Sequence, residues 1–157
     1  MARRQGHGCS RPLDGRAKPG TVGVPMPGTV LRCADAAARW HRELDSPRRL
    51  RAGIAWQGDA TQPMDRFRSF ALAHFTRLAR LDGLRLFSLQ FGAGQDQLAT
   101  FEARDCVIDL GDRLGDFHDT AAIVKNLDLV ITCDSAVAHL AGGLGVPVWV
   151  ALAHTCD

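Results

Sequence analysis

The chain is defined first by what is missing from it. No apolar run in its 157 residues approaches the roughly 20 residues that a membrane-spanning helix needs. Arg3 and Arg4 are followed by no apolar core, so the start does not read as a secretory signal. The net charge is only +2 and no Lys/Arg stripe with interleaved aromatics occurs, which leaves no case for nucleic acid. The five cysteines (Cys9, Cys33, Cys106, Cys133 and Cys156) are odd in number and widely spaced, with no C-x-x-C. That pattern argues against a zinc site or a disulfide framework and for a reducing, cytoplasmic compartment.

Catalytic signatures are missing as well. "GAGQDQ" (92–97) lacks the Gly-Lys-Ser/Thr of a phosphate-binding Walker loop, and Gln97 breaks a G-x-G-x-x-G. No G-x-S-x-G elbow occurs, and Asp134, Ser135 and His139 lie too close along one helix turn for a hydrolase relay. With no H-x-x-x-H and no D-x-D, no divalent metal site is expected. His74 and His118 fall on expected helices without ligand partners in sequence and read as surface or satisfied histidines.

What is present is an ordinary globular balance, 46% hydrophobic and 23% charged, enough for one domain with a core. Residues 1–33 are rich in Gly, Pro and Arg and show no period; they are expected to be disordered or a linker. Residues 34–49 read as a short helix and a connector. From residue 50 short apolar runs alternate with helical patterns: strands at 50–56, 84–90, 106–111, 129–133 and 147–152, helices at 69–83, 94–103, 116–128 and 135–145. Ser69 is the expected N-cap of the first of these helices, with Gly83 after its end. Phe117, Ala121, Val124 and Leu127 are the expected inner face of the third. Apolar strands alternating with helices predict an α/β, Rossmann-like domain over 50–157, with a parallel sheet covered on both faces. The chain stops at "ALAHTCD", directly after the last strand and without closing helices, so it is expected to be a fragment.

Ligands of open parallel sheets sit beyond the carboxyl ends of the strands, which selects the loops 57–69, 90–94 and 111–116 and the pair Asp134-Ser135. The pair interrupts core material where a strand hands over to a helix. Free N–H groups and a positive dipole at that helix start suit a phosphate, and the small residues Ala136, Ala138, Ala141, Gly142 and Gly143 allow close packing on the sheet. The competing reading is that Asp134 simply caps the helix and His139 is a packed histidine. In the loop after the first strand, Arg66 and Arg68 precede a helix and suit phosphate contacts; alone they also fit solvated loop arginines.

Four blocks in order, "AGIAWQGD" (52–59), "DRFRSF" (65–70), "LFSLQFGAG" (86–94) and "VIDLGDRLGDFHDTAAIVKNLDLVITCDSAVAHLAGGLGVPVWVAL" (107–152), carry a resemblance. They resemble the C-terminal, donor-binding domain of heptosyltransferase-like (family 9) glycosyltransferases, in the version fused behind tetratricopeptide repeats in bacteria. The most specific part is similar to the family's Asp-Ser/Thr-x-x-x-His-Leu-Ala pattern, here Asp134 to Ala141. The resemblance implies the GT-B architecture of two Rossmann-like domains flanking the active site. It implies that Asp134, Ser135, Ala136 and His139 border the donor's diphosphate and sugar, and that Trp56, Gln57 and Gly58 form the first phosphate-side loop. It places Arg68, with Arg66 beside it, as the cation facing the leaving diphosphate, and Gln90 in the nucleotide pocket. Arg68 and His139 are thereby the candidate catalytic residues. The implied donor is an ADP- or UDP-linked sugar, with no cofactor and no metal, and the acceptor a hydroxyl of a glycan or protein. The catalytic base and the preceding domain or repeats would come from outside this chain. Two other readings stand beside this one. A non-catalytic remnant or interaction module would seek a partner through the face around "VPVWVAL". A GT-B-like sugar-nucleotide epimerase would release free sugar with no acceptor present.

Overall fold

The computed structural model of the protein describes residues 36–44 and 49–152; the Gly/Pro/Arg-rich stretch 1–33 lies outside them. Five strands, β1 (Leu50–Ala55), β2 (Leu84–Ser88), β3 (Val107–Asp109), β4 (Leu129–Cys133) and β5 (Val148–Ala151), form one sheet in the order β3-β2-β1-β4-β5. All four pairings are parallel. The expected α/β, Rossmann-like sheet is what the chain forms. The strand order reverses between β1 and β4, and their carboxyl ends diverge there into separate loops.

Helix α1 (36–43), the one-turn α2 (Asp65–Arg68), α3 (Thr76–Ala79), α4 (Phe117–Val124) and α5 (Ala136–Gly143) complete the fold, with short 3-10 turns between them. One core joins Trp40 and Leu44 to Phe87, Leu89, Ile123, Val124, Val130 and Ala141. A second, on the opposite face, joins Ile54, Trp56, Leu72, Phe75, Leu86 and Leu98. Alternate residues of each central strand thus feed opposite cores, as a sheet covered on both faces requires. Helix α1, within the stretch read as a short helix and connector, packs into the first core through Trp40 and Leu44. Asn126 Nδ2 donates to the Ala37 carbonyl at 2.8 Å, Arg39 reaches Asp119 at 3.2 Å, and the Arg113 guanidinium lies 4.4 Å from the centre of the Trp40 ring.

Three expected elements are corrected. The helix expected over 69–83 begins as a 3-10 turn at Leu72–Phe75 and becomes α-helical only at Thr76–Ala79. Ser69 does not cap it, because its hydroxyl is engaged elsewhere; Gly83 does turn the chain afterwards, at φ +80°. The helix expected over 94–103 is a 3-10 stretch, Gln95–Thr100. In α4, Asp116 is the N-cap and accepts from the N–H groups of His118 and Asp119. That cap puts Phe117 at the first helical position, 64% exposed. Val124 and Leu127 face inward as expected, and Ala122 and Ile123 join them in place of Phe117 and the half-buried Ala121. At the sheet edge β5 leaves Trp149, Val150 and Leu152 exposed.

The start of the β1–β4 pairing is fixed by an ion pair. Asp128 accepts from the Arg51 backbone N–H at 2.8 Å and from the guanidinium at 3.1 and 3.0 Å. The Arg51 side-chain hydrogen bond, helped by its backbone N–H and opposed by burial, holds the Asp128 carboxyl below its ordinary value. A carboxyl depressed in the folded state stabilises the fold above the unfolded pKa and loses that contribution as pH falls through the folded pKa. Because the pair is partly exposed, Asp128→Asn is expected to cost about 1 kcal/mol at neutral pH. Urea melts should show that gap closing as the pH drops below about 4. A gap independent of pH would contradict the assignment.

Candidate functional site

An open cleft of about 510 Å³ lies beyond the carboxyl ends of β1, β2 and β4. This is the position at which open α/β sheets bind ligands, next to the reversal of strand order. Gln57, Gly58, Arg68, Gln90, Asp134 and Ser135 are among its lining residues, as is Ala136. Three loops far apart in sequence therefore meet here, two from neighbouring strands and one from the next strand over.

The α5 side answers why Asp134 and Ser135 interrupt core material. The N-cap position is Ser135, in extended backbone at φ −150°, ψ 170°, and no side chain caps the helix. Asp134 is not the cap. Ser135 Oγ turns instead to the buried Thr132 hydroxyl, 3.1 Å away. The helix therefore starts with N–H groups that no side chain satisfies, and its first two residues, Ala136 and Val137, line the cleft. Beneath it, burial pushes the Cys133 thiol up, so that side chain stays a neutral apolar filler.

Arg68 lines the same cleft beside Asp134. Its Nη1 lies 4.0 Å from Asp134 Oδ2, and its buried Nε has no hydrogen-bond partner. One guanidinium and one uncapped helix start thus share a cleft. Asp59, also on the rim, folds back on its own loop. Its Oδ1 accepts from the Thr61 hydroxyl at 2.7 Å and from the Thr61 N–H at 2.9 Å, and these bonds hold the carboxyl below its ordinary value.

The β1 and β2 loops are tied together by Gln90, which is 3% exposed. Its Oε1 accepts from the N–H groups of Trp56 (2.9 Å) and Gln57 (3.0 Å). Its Nε2 donates to the carbonyls of Gln57 (2.9 Å) and Ala93 (2.7 Å). Two donors and two lone-pair positions are the whole capacity of a carboxamide, so Gln90 borders the cleft as a clamp with nothing left for a ligand. Trp56 is likewise internal. Its ring is fully buried and its Nε1 donates to the Gly94 carbonyl at 3.1 Å.

With Trp56, two further sequence candidates stand outside the cleft lining. Arg66 is exposed, stacks 4.5 Å over the Phe67 ring, and borders a separate depression with Gln62 and Pro63. His139 is exposed on α5, one turn beyond the cleft. Among the described residues no group of three or more His, Cys, Asp or Glu side chains could hold a metal ion, and no helix is long and apolar enough to cross a membrane.

Sequence reasoning missed the wall behind the β1 loop. Asp65 is 5% exposed, and its Oδ1 accepts from Ser69 Oγ at 2.9 Å. That hydroxyl in turn accepts the Gly58 N–H at 3.0 Å. The sequence signal was an Asp four residues before a Ser across one helical turn.

No family model and no curated protein matches the chain. Among solved structures, E. coli ADP-heptose LPS heptosyltransferase II matches it with a TM-score of 0.55 at 16% sequence identity. The match covers 85% of this chain and 41% of that one, so the chain spans about two fifths of that structure's length. The likeness is one of fold: the parallel sheet and its flanking helices match a Rossmann-like part of a heptosyltransferase.

Proposed function

We propose that the chain is the donor-binding domain of a metal-independent glycosyltransferase, taking a nucleoside-diphosphate sugar, ADP- or UDP-linked, for transfer to an acceptor hydroxyl on a glycan or protein. The observation that carries this reading is the uncapped start of α5 on the wall of a cleft that also holds Arg68. Glycosyl transfer requires stabilisation of the negative charge that grows on the departing diphosphate. Preoriented N–H groups and a guanidinium do this electrostatically, without proton movement. Asp134, 4.0 Å from Arg68, holds that cation at the cleft. The acceptor and the base that takes its proton belong, on this reading, to a second domain across the cleft. The fold likeness to a heptosyltransferase supports the same class.

Ala136→Pro tests the helix start specifically. Proline is accommodated at a first helical position, and the residue before it, Ser135, already has the extended backbone that proline demands. The substitution removes one N–H while leaving the helix in place. Calorimetric titration with ADP and UDP in EDTA should show binding weakened by about 1.5–3 kcal/mol, the range for a hydrogen bond to a charged group. The melting temperature should stay near that of the parent chain. Unchanged affinity would remove the α5 start from the site.

An interaction module is the second reading, and the exposed Trp149, Val150 and Leu152 at the sheet edge favour it. It predicts concentration-dependent association and no response to either nucleotide.

A further inference from the structure

We infer that Asp65 and Ser69 are positioning residues for this cleft, a relay that fixes the Gly58 edge and the Arg68 wall in one geometry; the inference rests on the donor-binding reading above. Asp65 is a nearly buried carboxylate that forms no ion pair among the described residues. A buried polar side chain opposes folding unless its hydrogen-bonding groups are satisfied, so the placement of Asp65 behind a ligand cleft needs a local reason.

The hydrogen bonds supply one. A serine hydroxyl has one proton and can be both donor and acceptor. By accepting the Ser69 hydroxyl's hydrogen bond (Oγ–Oδ1 2.9 Å), Asp65 turns the Ser69 lone pairs toward the Gly58 N–H, 3.0 Å away. A Cβ on Gly58 would lie 2.6 Å from Asp65 Oδ1, so a larger residue there would have to displace that carboxylate. The same serine directly follows Arg68, and its own N–H donates to the Asp65 carbonyl at 2.8 Å. Ser69 thereby anchors the backbone from which Arg68 extends, while Asp134 lies 4.0 Å from the guanidinium. The Asp65 carboxylate thus ties the residue that follows Arg68 to the Gly58 edge of the cleft.

The test uses the full chain, amide NMR, and titration with ADP and UDP. Ser69→Ala should shift the Gly58 amide proton and weaken binding of the bound nucleotide roughly five- to tenfold. Ser69→Thr, which keeps the hydroxyl, should restore both to near the parent values. Asp65→Ala should move the same Gly58 resonance, and the double variant should bind no more weakly than the weaker single variant, because both act through one relay. Ala79→Gly, remote from the cleft in α3, serves as a control that lowers the melting temperature without changing affinity. If Asp65→Ala fails to fold, the Ser69 pair decides alone. Parent-like binding by Ser69→Ala, in a parent chain that does bind, overturns the relay. Failure of the parent chain to bind either nucleotide overturns the donor-binding reading and the relay with it.

Discussion

Replacing Gln90 with alanine is expected to cost about 3–5 kcal/mol of stability, the largest loss from any single polar substitution near the cleft. The carboxamide satisfies four backbone groups: the N–H of Trp56, the N–H and carbonyl of Gln57, and the carbonyl of Ala93. Alanine abandons all four at a site where Trp56 is fully buried. Urea denaturation should show the midpoint falling with little change in slope, and thermal melts a drop on the order of 10 °C. Gln90→Glu discriminates the cause. A carboxylate still accepts from the two N–H groups but turns its second oxygen toward the Gln57 and Ala93 carbonyls. It should therefore rescue little at neutral pH. A near-neutral Gln90→Ala would mean that water replaces the clamp.

Arg68→Ala is expected to weaken nucleoside diphosphate binding by about 2–3 kcal/mol, a loss of roughly 30- to 150-fold in affinity. The substitution removes the guanidinium from the cleft wall and leaves Asp134, which lies 4.0 Å from it, as an unopposed negative charge beside the diphosphate. Two effects therefore add: a lost attraction and an uncovered repulsion. Arg68→Lys should recover only part of the loss, since an ammonium offers charge without the planar fork. Raising the salt concentration should narrow the gap between parent and variant, because the cleft is open to solvent. Equal affinity of Arg68→Ala and the parent chain would move the anion site elsewhere.

Fold and site were not equally legible in the sequence. The alternation of short apolar runs with helices was enough for a parallel α/β sheet, because strands covered on both faces leave little choice of class. The gathering of Gln57, Gly58, Arg68, Asp134 and Ser135 at one cleft followed from a single rule about strand ends. Side-chain roles were less visible. Gln90 stands two residues past Ser88, which pairs with Ile54 two residues before Trp56. That register puts its carboxamide against the Trp56 and Gln57 backbone, and register is a tertiary fact. Ser69 has the chemistry of an N-cap, but its hydroxyl is already held between Asp65 and Gly58. The helix then starts three residues later. For Phe117 the cap at Asp116 was the better guide than the apolar period, since it fixed the rotational phase of α4 and left that ring outside.

On the donor-binding reading, the cleft between the β1 loop and the α5 start binds a nucleoside diphosphate without metal. A two-dimensional amide NMR titration of the 157-residue chain with ADP, UDP and GDP in EDTA tests it most directly. Shifts are expected to cluster at the cleft-lining residues 57–61, 68, 89–91, 93 and 134–137, saturating with at least one of the nucleotides. Dispersed spectra that no nucleotide moves, or shifts that fall on the Trp149 edge instead, would contradict it.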